Sequence, residues 1–101
     1  KGENISSYQV EDMINQHPDI QTCTVFPIPA VEGEEDDIVV YVVPKSSKLN
    51  EKLLKEWIKN VAPKFMWPRY VRFVSDLPRT PTNKVEKFTL KKQIMSELNM
   101  Y

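Results

Sequence analysis

Apolar positions along this chain change period several times, and each change marks an element. From Ser6 onward, Val10, Met13, Ile14 and His17 recur at helical spacing. Ser6 with Gln9 fits a capping box, and Pro18 ends the run because its predecessor is pushed out of the helical region. The stretch "IQTCTVFPI" from Ile20 to Ile28 is rich in β-branched residues and predicts a strand, with Pro27 marking a sheet edge. "PAVEGEEDD" is a polar acidic loop in which Gly33 is free to take a positive φ. "IVVYVVP", residues 38–44, is apolar at nearly every position, which predicts a central strand covered on both faces.

The period then returns to helical. Asn50 can cap a helix from Glu51 to about Val61, with Leu53, Leu54, Trp57, Ile58 and Val61 on one stripe and Glu51 and Lys55 at the i,i+4 spacing that favours pairing. "PKFMWP" breaks it. "RYVRFVS" predicts a third strand, with Tyr70, Arg72 and Val74 on one side and Val71 and Phe73 on the other. After a turn over residues 77–83, Thr89 can cap a last helix carrying Leu90, Ile94 and Leu98. The order is helix, strand, strand, helix, strand, helix. It predicts a small α+β domain, a mixed sheet of about three strands with helices packed on it. The first two strands form a long-loop hairpin; the helical connection allows the second and third to be parallel.

Length and charge narrow the function classes. At 101 residues the chain is one domain, with room for one modest core and not for a large enclosed substrate cavity as well. Lys plus Arg and Asp plus Glu are both 14, so no global field draws it to nucleic acid. The single cysteine, Cys23, excludes an intramolecular disulfide and favours a reducing compartment, taken as the cytoplasm. No apolar run approaches the ~18 residues of a membrane span, and no signal peptide is visible. The chain opens on Lys-Gly-Glu-Asn without an initiator methionine, which suggests a fragment or processed product.

Candidate chemistry is sparse. His17 and Cys23 fall on different predicted elements and lack metal-ligand spacing, so no metal site is expected. His17 reads as a helix-end cation or a partly buried cap, and Cys23 as a small core residue. No phosphate-cradling glycine loop exists, and the acidic run 32–37 lacks the spaced ligands of a calcium loop. In "KFMWPRYVRF", Phe65 and Trp67 interleave with Lys64, Arg69 and Arg72. Two readings stand: aromatics and cations that stack on a base and pair with phosphates, or core anchors at a helix-to-strand corner. Lys84 follows a turn stiffened by Pro78 and Pro81. A preorganised ammonium suits a site where negative charge develops, yet an ordinary surface lysine has the same local sequence.

Three segments, "KGENIS", "VEDMINQHPDIQTCTVFPIP" and "KFMWPRYVRFVSDLPRTPTNKVEK", resemble the C-terminal domain of the adenylate-forming enzymes, over essentially the whole chain and in the family's order. That superfamily includes acyl-CoA synthetases, peptide-synthetase adenylation domains and beetle luciferase; "GENIS" is most similar to acyl-CoA ligases of the carnitine/crotonobetaine or fatty-acid type. The resemblance implies that residues 1–101 are a single mobile C-terminal domain of a larger two-domain ligase. Such an enzyme joins a carboxylic acid to ATP, releases pyrophosphate, then passes the acyl group to CoA with release of AMP. It implies Lys84 as the catalytic adenylation lysine, an electrostatic clamp and not a base. It implies Gly2 at the thiolation face, leaving room for the pantetheine arm, and Phe65, Trp67 and Arg69 as contacts to the CoA nucleotide. Asn83 stands where glycine is common, and Trp67 where a basic residue can occur. Mg²⁺ is expected in the full-length enzyme and not in this domain. The large N-terminal domain is the expected partner, the isolated chain should fold without turning over, and no nucleic acid is expected. A stand-alone nucleotide or single-stranded nucleic-acid module is the alternative; within the family, the acceptor could instead be a carrier protein's phosphopantetheine.

Overall fold

In the computed structural model, which describes residues 6–30 and 36–100, Ser6 starts the first helix, α1 (Ser7–Ile14). Its hydroxyl accepts the Tyr8 N–H at 3.2 Å, satisfying one orphan donor of the first turn. The expected capping box with Gln9 gives way to a simple N-cap: the Gln9 backbone N–H goes to the Ser6 carbonyl, at 3.0 Å, and not to its hydroxyl. Val10 and Ile14 are buried, and the helix ends one turn before Pro18.

The strands are β1 (Ile20–Ile28), β2 (Asp37–Pro44) and β3 (Tyr70–Phe73), in spatial order β1-β2-β3. β1 and β2 are antiparallel, as the hairpin predicted, and β2 and β3 are parallel, as the helical connection allowed. β2 is central and buried on both faces, and the Pro27-bearing β1 lies at an edge. A register irregularity between Ile20 and Thr22 reverses the alternation, so Ile20, Cys23 and Val25 all face one cluster. Gly33 and the acidic residues Glu32, Glu34 and Glu35 lie outside the described residues.

Two cores flank the sheet. On one face, Val40, Val42 and Val71 meet Val10 and Ile14 of α1 and Leu54 and Ile58 of α2 (Glu51–Val61). On the other, Phe26, Val39 and Tyr41 meet Leu90 and Ile94 of α3 (Lys87–Glu97). The predicted split of the third strand holds: Val71 and Phe73 join the first core, Tyr70 and Val74 the second. Each fully buried aliphatic side chain contributes about 1.5–3 kcal/mol, enough in aggregate to close both faces.

α2 has the predicted bounds, because the Asn50 carbonyl oxygen Oδ1 accepts the Leu53 N–H at 2.9 Å. Its stripe is narrower than expected. Leu54 and Ile58 are buried and Trp57 is partly so, whereas Leu53 and Val61 are 46% and 50% exposed, one at the stripe's flank and one at the helix end. α3 begins two residues before the expected cap. Glu86 takes the cap position without a side-chain bond to the helix amides, and the Thr89 hydroxyl donates to Glu86 Oε1 at 3.0 Å. At its far end Asn99 adopts φ 58°, a left-handed stop that lets the Met100 N–H reach the Met95 carbonyl at 2.9 Å.

Candidate functional site

The Lys84 turn hangs from the second core by Leu77, which is buried, and by the half-buried Val85. Between them Arg79 and Val85 form an isolated antiparallel bridge. Inside it, the Thr80 N–H donates to the Lys84 carbonyl at 2.7 Å and the Asn83 N–H to the Thr80 carbonyl at 2.8 Å. Pro81 occupies the second position of that turn, where its fixed φ is already correct. Asn83 then takes φ 69°, the left-handed region that glycine occupies without cost and that asparagine tolerates. A turn followed by one left-handed residue is a common way to close a short hairpin.

Side chains finish the clamp. Thr80 Oγ1 accepts the Lys84 N–H at 3.1 Å and lies 3.1 Å from the Thr82 hydroxyl; Arg79 Nη1 donates to the Asn83 carbonyl at 3.2 Å. The Glu86 N–H reaches the Pro78 carbonyl at 2.8 Å. The Lys84 backbone is therefore fixed on both its N–H and its C=O. Its side chain is exposed, and no ion pair among the described residues uses its ammonium. The result is a charged group on a long flexible stem with a rigid base.

Trp67 and Arg69 come together elsewhere. With Lys55, Ile58, Lys59 and Pro68 they line an open groove of about 280 Å³ on the α2 side of the sheet. The indole N–H donates to the Ala62 carbonyl at 3.0 Å, which anchors Trp67 at the corner between α2 and β3. The Lys59 ammonium lies 5.6 Å from the indole ring. Arg69 approaches Asp37 at 3.8 Å and places its guanidinium 5.7 Å from the Tyr70 ring. Phe65 does not line the groove; it sits 49% exposed on the 3-10 turn Lys64–Met66. Trp67 is thus both a corner anchor and a groove wall, whereas Phe65 is neither. Gly2 lies outside the described residues.

Lys84 and the groove are on opposite sides of the sheet, since the turn rests on the Leu77 core and the groove on the Ile58 core. Lys55 and Lys59 escaped the sequence reading. Their i,i+4 spacing on α2 put them on one side, but nothing in the sequence brought Arg69 beside them.

The remaining candidates are structural. His17 Nδ1 accepts the Asp19 N–H at 3.0 Å, and its ring meets Trp57 edge-on at 4.9 Å. Burial, and then the nearby Glu11 carboxylate, push the Cys23 thiol up to about 12, so it is no nucleophile near neutrality. Among the described residues no three His, Cys, Asp or Glu side chains are grouped to hold a metal. No helix among them is long and apolar enough to cross a membrane.

Comparison with known proteins gives concordant results. The family described as "AMP-binding enzyme C-terminal domain" matches residues 9–84. The chain is 36% identical over 99 residues to a medium-chain fatty-acid–CoA ligase of Escherichia coli (strain K12), covering 96% of this chain and 18% of the relative. It is 34% identical over 95 residues to a peroxisomal trans-cinnamate:CoA ligase of Petunia hybrida, covering 94% of this chain and 17% of the relative. The solved structure of a fatty acyl CoA synthetase from Mycobacterium tuberculosis superposes with a TM-score of 0.83 at 25% identity, over 95% of this chain and 19% of that one. The chain thus spans less than a fifth of the length of each of these proteins.

Proposed function

The chain belongs to the AMP-binding enzyme C-terminal domain family, and from that premise we propose that it is the mobile, lysine-bearing domain of a two-domain acid–thiol ligase. In the first half-reaction a carboxylate oxygen attacks the α-phosphorus of ATP. The bond to the β,γ-diphosphate breaks, giving acyl-adenylate and pyrophosphate. In the second, the CoA thiolate attacks the acyl carbon and AMP leaves. Lys84 serves the first step as a fixed positive charge, beside the carboxylate and the α-phosphate where negative charge accumulates. One observation carries this reading: the Lys84 backbone is held on both sides while its ammonium is left without an ion pair among the described residues.

The second step falls to the opposite face; Gly2 is proposed for the same step from the resemblance of the "GEN" segment alone. Trp67 and Arg69, joined by Lys59 and Lys55, receive the phosphorylated nucleotide of CoA in the groove. Exposed ion pairs are worth only about 0–1 kcal/mol, so a polyanion can displace the carboxylates now beside Lys55 and Arg69. Phe65 contributes less than Trp67, since it lies outside the groove. The acyl pocket and the Mg²⁺ that accompanies ATP are assigned to the large N-terminal domain, the cytoplasm is the proposed compartment, and the acceptor is free CoA. The CoA ligases among the relatives favour this over a stand-alone nucleic-acid module or carrier-protein loading.

Two assays test the proposal. Pyrophosphate release by this chain alone should be undetectable, and acyl-adenylate formation without a second domain would overturn it. In the complete enzyme, Arg69→Ala should slow the reaction with CoA and spare pantetheine, which lacks the nucleotide; equal losses on both acceptors remove the groove's assigned role.

A further inference from the structure

Glu11 stands at the junction of three elements. From α1 its Oε2 accepts the β1 Val25 N–H at 2.8 Å and the Thr24 hydroxyl at 3.3 Å, and pairs with the α3 Lys87 ammonium at 3.0 Å. The Val25 N–H is an edge donor of the sheet, so the carboxylate also covers an exposed strand edge. Lys87 is further held by Tyr8, whose ring centroid is 4.8 Å from the ammonium.

Lys87 is the first residue of α3, the end where the helix dipole disfavours a cation. That helix has no side-chain cap and no acidic residue in its first turn. A cation there does nothing for the helix itself. Its effect lies in what it connects. Lys87 is three residues from Lys84, and the intervening backbone has no slack: Val85 is bridged to Arg79, and the Glu86 N–H is bonded to Pro78. Movement of α3's first turn is therefore movement of the Lys84 turn.

We infer that Glu11 and Lys87 are positioning residues for Lys84, an ionic brace that fixes the lysine turn against α1 and the sheet edge. The inference rests on the proposed role of Lys84 in adenylation. The brace touches no substrate; it sets where the Lys84 stem begins. A small error in that origin lowers the rate of the adenylation step without changing how ATP or CoA binds.

The test uses Lys87→Met, Glu11→Gln, Lys87→Arg and Lys84→Ala in the complete enzyme. Glu11→Gln keeps an acceptor for the Val25 N–H and removes the charge facing Lys87. Lys87→Met and Glu11→Gln should each lower kcat of adenylation by roughly ten- to a hundredfold, with KM for ATP little changed. Thioester formation from preformed acyl-adenylate should stay within about twofold, and Lys87→Arg should recover the adenylation rate. Combined with Lys84→Ala, Lys87→Met should add no further loss, because the brace acts only through Lys84. Equal losses in both half-reactions, or a fully additive double variant, would show a general structural role and overturn the inference. If Lys84→Ala abolishes adenylation while Lys87→Met leaves it intact, the brace alone fails. If Lys84→Ala leaves adenylation intact, the reading of Lys84 fails and the brace falls with it.

Discussion

The Lys84 turn and the groove on the other side of the sheet hold their cations in opposite ways. At the turn, the hydrogen bonds go to backbone, and the ammonium takes part in no ion pair among the described residues. In the groove, Lys55 faces Glu51, Lys59 lies over the Trp67 ring, and Arg69 faces Asp37. A lysine with a rigid base and no ion pair to give up can enter a partner's site without first exchanging a partner; it gives up hydration, repaid by the anion it meets, and rotamer freedom of at most about 2 kcal/mol. A groove cation must first exchange a partner, so it suits a ligand that arrives, binds and leaves. On the proposed reading, the contrast separates a group that does chemistry from groups that select an acceptor.

The largest effect should come from Lys84. Replacing it with Ala should cost the complete enzyme about 10²–10³ in pyrophosphate-forming rate, the range for loss of one charge-stabilising donor. The melting temperature should not move, because the side chain is exposed. A matching drop in melting temperature would make the turn's lysine structural and erase the contrast. The groove should respond more weakly. Lys59→Ala with Arg69→Ala should raise KM for CoA by roughly tenfold, as expected from losing about 1.4 kcal/mol of binding. An unchanged KM for CoA would leave the groove without a ligand.

Two substitutions sharpen the comparison through stability. Asn83→Val should destabilise the chain by about 1–2 kcal/mol, because a β-branched residue resists the left-handed conformation seen at φ 69°. Asn83→Gly should be neutral or stabilising in the same urea titration. Trp67→Phe should cost about 1 kcal/mol by removing the indole N–H bond to Ala62, measured by the same titration. Phe65→Ala should change neither stability nor KM for CoA appreciably, since it sits exposed and outside the groove.

Much of the fold was legible because its signals are local. Asn50 and the proline-rich break bounded α2, the doubly apolar run placed β2 at the centre, and the intervening helix allowed β3 to run parallel. Where two local signals competed, the start of α3 was misread: Thr89 has the right chemistry for a cap, yet Glu86 holds the position and Thr89 donates to it. The irregularity at Ile20 and Thr22 left no composition mark, because neither residue is glycine or proline.

The site divides along the same line. The Lys84 turn was legible because it is written in consecutive residues, down to an asparagine able to take the left-handed position, but an ordinary surface lysine has the same local sequence, and only the family resemblance singled Lys84 out. The groove could not, since Lys55, Lys59, Trp67 and Arg69 meet only when the corner after α2 closes. Glu11 was equally hidden. On the sequence it is one acid on the polar side of a short helix, and its partners lie on β1 and at the start of α3.

The most direct measurement divides the reaction at the acyl-adenylate. With Lys84→Ala in the complete enzyme, adenylation should collapse, while synthetic acyl-adenylate is still converted to thioester at close to the unmodified rate. Comparable losses in the two halves would contradict the assignment of Lys84 to the first.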